Sequence, residues 1–285
     1  MIEHNNRIKA KQYAEYITGY ELRKYVAEKV RKYVGGDITV FDGAAGSGQL
    51  VEYLDFQMLY AVEVQKEACD ALISNYKNSR VFNMSFFEFE NDICADAVIM
   101  NPPFSLKLKS LSSGEQAAIS QAYPWKMSGV VDDIFLLKSL DFTKRYGFYI
   151  MYPGIAYRKS EQKMRGLIGY RLCELNVIQN AFDDTTINVL FLVIDKYKTS
   201  REIHKEIYEC KSQSILHSET ENMVPPFYWT APVIQKAPKE IDITELERDI
   251  ECIKRKRRAL EDRLDEFVAK EVRPMLYARN YVDSK

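Results

Sequence analysis

The residues with the most chemistry in one place are Asn101, Pro102, Pro103 and Phe104. They follow an apolar run, Ala95-Asp96-Ala97-Val98-Ile99-Met100, that reads as a buried strand. The prolines end that strand, because neither has an N–H to give a ladder and Pro103 holds Pro102 extended. An amide side chain, a stiff carbonyl-bearing turn and an aromatic ring are therefore presented together just past a strand's carboxyl end, the edge at which open α/β sheets bind ligands. A second such stretch precedes it. Ile38-Thr39-Val40-Phe41 runs as a strand into Asp42-Gly43-Ala44-Ala45-Gly46-Ser47-Gly48, with a helix expected to follow. Glycines at 43, 46 and 48 let the backbone bend and let a ligand come close to it. This GxxGxG spacing differs from the dinucleotide GxGxxG fingerprint. The next strand ends in Glu63, at about the separation from Asp42 expected of a carboxylate that accepts hydrogen bonds from ribose hydroxyls.

Asn101-Pro102-Pro103-Phe104 is the NPPF form of the (D/N/S)PP(Y/F) motif, and Phe41 to Gly48 precedes it as a glycine-rich motif I would. On these two motifs, in this order, the chain resembles the amino-directed, S-adenosylmethionine-dependent DNA methyltransferases. It is similar to gamma-class adenine-N6 enzymes and to the methylation subunits of type I restriction-modification systems. The resemblance implies methyl transfer from S-adenosyl-L-methionine to adenine N6 of a flipped-out base in DNA, by in-line displacement and without a metal. The Asn101 oxygen and the Pro102 carbonyl would each accept one amine N–H and aim the nitrogen lone pair at the methyl group. Pro103 stiffens that turn, and Phe104 and Phe182 would stack on the base. For the cofactor the resemblance implies Asp42, Gly43, Gly46, Gly48, Glu63, Val64, Phe86 and Asn101. An aromatic-Thr-Pro turn that touches the cofactor in type I subunits has a partial counterpart in Tyr16 and Thr18, with Gly19 in place of proline. Ser85 stands where relatives often carry an aspartate facing the cofactor adenine amine.

Elements that could position these groups follow from periodicity. Strands are expected near 38–42, 58–63, 80–83, 95–100, 147–153, 173–178 and 189–194, with helices between them. That pattern gives an α/β fold, a Rossmann-like seven-stranded class I methyltransferase sheet, mostly parallel, with helices on both faces. Thr18 is a candidate N-cap for the helix that ends near Val34. Residues 105–131 are too long for an ordinary connection and read as a functional loop, whose Lys107, Lys109 and Lys126 could meet phosphates. Residues 196–238 lose periodicity. From Ile243 the apolar residues Leu246, Ile250, Ile253, Leu260, Leu264 and Phe267 recur at heptad spacing, with Arg257 on the seam. The expected organisation is an N-terminal helical segment (1–37), a catalytic domain (38–200), a connector (201–238) and a coiled-coil-like helix (239–285). That helix would pair with itself, giving a homodimer, or with a specificity-type protein partner.

The bulk numbers bound the rest. The chain has 285 residues, 46% of them hydrophobic, enough for a substantial core, and a formal net charge of −1. That balance carries no strong basic field, which weakens the idea of a self-sufficient DNA binder. Five cysteines lie far apart with no CxxC pair, and three histidines show no ligand spacing. A zinc site or disulfide framework is not expected, and a reducing cytoplasm is. There is no apolar run of membrane-spanning length. The runner-up readings are an RNA or protein-glutamine N-methyltransferase, since NPP(F/Y) also occurs in those, and a non-catalytic methyltransferase-like scaffold.

Overall fold

The structure, a computed structural model, describes residues 18–182, 187–233 and 243–272. The chain divides into two compact units, Met1–Ile234 and Gln235–Lys285.

In the first unit one sheet carries β1 (Ile38–Asp42), β2 (Phe56–Glu63), β3 (Ser79–Asn83), β4 (Ala95–Met100), β5 (Thr143–Met151), β6 (Leu172–Gln179), β7 (Val189–Asp195), β8 (Glu202–Glu209) and β9 (Ser214–Asn222). Their order is β3-β2-β1-β4-β5-β7-β6-β8-β9. The sheet therefore has nine strands where seven were expected, and it is mixed. β7 runs antiparallel to both β5 and β6, and β9 runs antiparallel to β8. The two additional strands come from the stretch whose periodicity is lost. β8 buries Ile203 and Ile207, but β9, Ser-Ile-Leu-His-Ser-Glu-Thr-Glu-Asn, buries none of its residues. It is held by its ladder to β8, and an edge strand without a buried face leaves no hydrophobic period to read.

Central strands are apolar on both faces because both faces are covered. Alternate residues divide between two cores. Leu190, Leu192 and Ile194 enter one, and Val189, Phe191 and Val193 the other. The first core is closed by α4 (Asp132–Ser139) and α6 (Gln162–Ile168), through Ile134, Phe135, Met164 and Ile168. Met223 and Trp229 fold back into it. The second is closed by α1 (Tyr20–Tyr33) and α2 (Lys66–Asn75), through Leu22, Tyr25, Val26, Val30 and Leu72. The remaining short helices are α3 (Ser113–Ala122), inside the stretch read as a loop, and α5 (Gly154–Tyr157).

Helix α1 is locked to the sheet by a buried ionic network. Lys29 Nζ lies 2.6 Å from Glu174 Oε2 and 2.8 Å from Glu206 Oε2. Tyr25 and Tyr33 donate to Glu206 and Glu174, at 2.9 and 2.7 Å. Burial works against the Glu174 carboxylate, but Lys29, Tyr33 and Asn176 outweigh it and hold the group down at about 2. Glu174, His204 and Glu206 have the mutual spacing of metal ligands. The Lys29 ammonium already satisfies both acids at that place, so the cluster works as an anchor for α1.

In the second unit the described residues form α7 (Ile243–Phe267) followed by one wider turn, Val268–Val272. Ile253, Leu260 and Leu264 on its seam are exposed. Among the described residues no helix is long and apolar enough to cross a membrane.

Candidate functional site

Four carboxyl strand ends, those of β1, β2, β3 and β4, meet at one cavity of about 310 Å³, at the small end of ordinary ligand sites (~300–1,000 Å³). Gly43 and Ala44 come to it from β1, Glu63 and Val64 from β2, and Asn101 to Phe104 from β4. Ser85 and Phe86, which follow β3, complete the lining with Phe135 and Glu115. Parallel neighbours in register bring these ends together: Asp42 lies across from Ala61, and Phe41 from Val98.

Asn101 is the central group. Its Nδ2 donates to Thr18 Oγ1 at 3.0 Å. Its Oδ1 is buried and has no hydrogen-bond partner among the described residues. A buried acceptor left in that state costs about 1–3 kcal/mol. Thr18 therefore does not cap α1. Gly19 is the N-cap, without a side-chain hydrogen bond, and the Thr18 hydroxyl is spent on Asn101. The Thr18 carbonyl in turn accepts from Arg23 Nε at 2.6 Å, and Arg23 is paired with Glu52 at 2.8 Å. Tyr16 lies outside the described residues.

The glycine turn leads into a single 3₁₀ turn, Gln49–Val51, rather than the expected helix. β2 begins at Phe56, so residues 43–55 leave space for little more. Gly48 has φ +83°, and a Cβ there would fall 2.5 Å from the Tyr76 ring. A Cβ on Gly43 would fall 2.7 Å from the Phe86 ring. At these two positions glycine admits a neighbouring aromatic as well as a bend. Gly46, with φ +53°, donates its N–H to Glu63 Oε2 at 2.9 Å, and Gln65 N donates to Glu63 Oε1 at 2.8 Å. Glu63 thus ties the turn to β2 while its carboxylate lines the cavity. Asp42 sits beneath the turn, outside the lining, and accepts the Ala44 N–H at 2.9 Å. Burial, reinforced by the Glu63 charge and opposed by that N–H, pushes its carboxyl up to about 7.

Phe86 is buried and stacks on Phe135, with centroids 5.6 Å apart and planes 5° from parallel. Ser85 donates to Glu115 Oε1 at 2.6 Å. Glu115 belongs to α3, where it closes a capping box with Ser112. The chain therefore places a carboxylate at this wall from a different element, where Ser85 itself offers none. Sequence reasoning passed over Glu115, although Ser112-x-x-Glu115 is a recognisable helix-start signature. It also missed Gln65, Met84 and Phe135 in the lining.

Phe104 and Phe182 are brought together, edge to face at 6.1 Å and 61°. A flat ring between two others needs them parallel and ~7 Å apart or more, twice a carbon contact distance. Here they touch each other instead. Lys126 is not a phosphate contact. It is 2% exposed and buried against Asp133, 2.6 Å away, whereas Lys107 and Lys109 are exposed.

No family model matches the chain. Solved structures do resemble it. A type I restriction-modification methyltransferase subunit from Streptococcus thermophilus superposes with a TM-score of 0.57 at 17% identity, over 70% of this chain and 50% of that one. A protein from Listeria monocytogenes described as a class I S-adenosylmethionine-dependent methyltransferase does so with 0.57 at 12%, over 68% of this chain and 65% of that one. A chain from a type I restriction-modification complex gives 0.60 at 14%, over 90% of this chain and 67% of that one. This is a methyltransferase fold. The chain spans half the length of the Streptococcus subunit. The order β3-β2-β1-β4-β5-β7-β6 is the methyltransferase core, and β8 and β9 extend it at the β6 edge.

Methyltransferases of this fold class take S-adenosylmethionine, so the cavity can be tested against that ligand. Its described lining holds two carboxylates, Glu63 and Glu115, and neither Lys nor Arg. Such a wall favours a cationic ligand and disfavours a phosphate-bearing one. The apolar Val64, Phe86 and Phe135 beside it suit a flat heterocycle. The residues fit the group.

The raised Asp42 carboxyl gives a test of this arrangement. Between about 4 and about 7 the folded protein holds a proton there that the unfolded chain releases, so stability falls as pH rises through that window. Asp42→Asn keeps an acceptor for Ala44 without the charge. The Asn variant is expected to match wild type near pH 4 and to be more stable than wild type at pH 8, read by urea denaturation. A constant difference across that range would contradict the assignment.

Proposed function

We propose that the chain is an S-adenosylmethionine-dependent N-methyltransferase whose substrate is the N6 amine of adenine in DNA. The observation that carries this reading is the Asn101 amide, in a residue that lines the cavity, bonded at its nitrogen to Thr18 and left at its buried oxygen without a partner among the described residues. An exocyclic amine supplies the donor that this oxygen lacks. The Pro102 carbonyl takes the second N–H, and drawing both hydrogens to one side concentrates the nitrogen lone pair on the other. S-adenosylmethionine, when bound, supplies an electrophilic sulfonium methyl. Glu63 and Glu115 hold positive charge and polar groups of the cofactor, Glu63 keeps the glycine turn in place, and Phe86 with Val64 covers a flat ring. Phe104 stacks on the base once the base has left the duplex, and Phe182 must turn aside from its present edge-to-face contact to take the other face.

α7 serves as the docking element. A neighbouring fold comes from a type I restriction-modification complex, and the exposed seam is of the kind that seats on another helix. Lys254 to Arg258 are five consecutive cations at the middle of the helix. Pairing with a second copy, parallel or antiparallel, sets this cluster against itself, so the favoured partner is a different protein with an acidic helix face. Its contribution is the phosphate contact that a chain of net charge −1 does not supply.

Asn101→Ala is expected to lower transfer of tritiated methyl to DNA about 100-fold or more, with cofactor affinity by calorimetry within about threefold. Equal loss of both, or transfer to RNA in place of DNA, would overturn the reading. Light scattering is expected to give the mass of one chain for the isolated protein. A dimer that dissociates when residues 239–285 are deleted would instead establish self-pairing.

A further inference from the structure

The residue after the motif aromatic is in an unusual state. Ser105 has φ +56°, a left-handed conformation that a serine adopts only when its surroundings impose it. Two side chains from separate segments bond to it. The Ser105 N–H donates to Asp132 Oδ1 at 2.9 Å, and Arg158 Nη2 donates to Ser105 Oγ at 3.0 Å. Asp132 opens α4 and is 2% exposed. Arg158 follows α5, and its guanidinium lies 4.9 Å from the centroid of the Tyr152 ring. Tyr152 is itself 6.4 Å from the Phe104 ring, centroid to centroid. Gly154 admits this arrangement, since a Cβ there would fall 2.3 Å from Arg158 Nε.

The Ser105 N–H belongs to the peptide plane that joins it to Phe104. Fixing that N–H fixes ψ of Phe104, and with it the path of the chain away from the Asn101 turn. Tyr152, under the Arg158 guanidinium, bears on the Phe104 ring from the side. Neither Asp132 nor Arg158 lines the cavity. Their charges face each other and Glu161: Arg158 Nη1 is 3.6 Å from Asp132 Oδ2 and 3.9 Å from Glu161 Oε1. None of those three atoms makes a hydrogen bond among the described residues. The short polar contacts of Asp132 and Arg158 with the motif loop all go to Ser105.

We propose that Asp132 and Arg158 are positioning residues that hold Ser105 left-handed and thereby set the Phe104 ring for its base. This rests on the reading of Phe104 as the base-stacking group, so it is tested by one arm that needs no substrate and one that does. In hydrogen exchange on the full chain, peptides covering 101–108 are expected to exchange about 10-fold faster in Asp132→Ala than in wild type, with peptides from β1 and β2 unchanged. Asp132→Asn keeps an acceptor and is expected to stay within about threefold of wild type. Arg158→Lys keeps the charge beside Asp132 and Glu161 but lacks the planar fork, so it is expected to speed exchange at 101–108 alone. It decides the matter if Asp132→Ala loosens the whole fold. In the second arm, methyl transfer to unmethylated genomic DNA is expected to fall about 10-fold in kcat for Asp132→Ala and Arg158→Lys, with KM for S-adenosylmethionine unchanged and Asp132→Asn restoring most of the rate. Exchange at 101–108 that is indifferent to all three substitutions overturns the proposal. A loosened loop in a protein that transfers no methyl in any form leaves the positioning standing and defeats the function reading instead.

Discussion

An amide that donates at its nitrogen and stays unpaired at its oxygen is a demanding object to build. Left to rotate, the Asn101 side chain would present either end to the cavity. Thr18 restrains it by accepting from Nδ2, and Thr18 can do so only if the start of α1 is held against the end of β4. Much of the architecture serves that placement. Lys29, buried between Glu174 and Glu206, fixes α1 to β6 and β8. The Arg23 contacts to the Thr18 carbonyl and to Glu52 fix the first turn. Breaking a buried pair of this kind costs far more than its net contribution, because one charge is stranded. One strand beyond the usual core therefore matters to the site indirectly: β8 supplies Glu206.

Two features of the cavity point the same way. The strand ends deliver hydrogen-bonding groups, and the described walls deliver negative charge. Glu63 comes from β2 and Glu115 from α3, a helix within the long segment after the motif. A chain that is almost neutral overall thus concentrates its sign where a cation would sit. Bulk charge is silent about this, because the acids of one pocket disappear in a sum over 81 charged residues, 40 basic and 41 acidic.

The motif turn and the glycine turn were legible because each follows a short apolar run and is punctuated by proline or glycine, the strongest local signals a sequence carries. Central strands were legible for the same reason. Three things were not. β9 buries nothing, so it has no period. Lys126 reads as a solvated cation until its partner is known, and only folding places Asp133 against it. Thr18 has the composition of a cap, and nothing local says that its hydroxyl is used by Asn101, 83 positions away. Long-range hydrogen bonds leave no periodic trace, and this site is built from them.

The most direct test of that dependence is the methyl-transfer rate of Thr18→Val, followed under single turnover at saturating S-adenosylmethionine and compared with Thr18→Ser. Valine keeps the shape but cannot accept from the Asn101 amide. The rate is expected to fall about 10-fold or more in the valine variant and to return in the serine variant, with cofactor affinity holding in both. A valine variant that transfers methyl groups as fast as wild type would contradict that dependence, because the Asn101 oxygen would then need no partner to aim it.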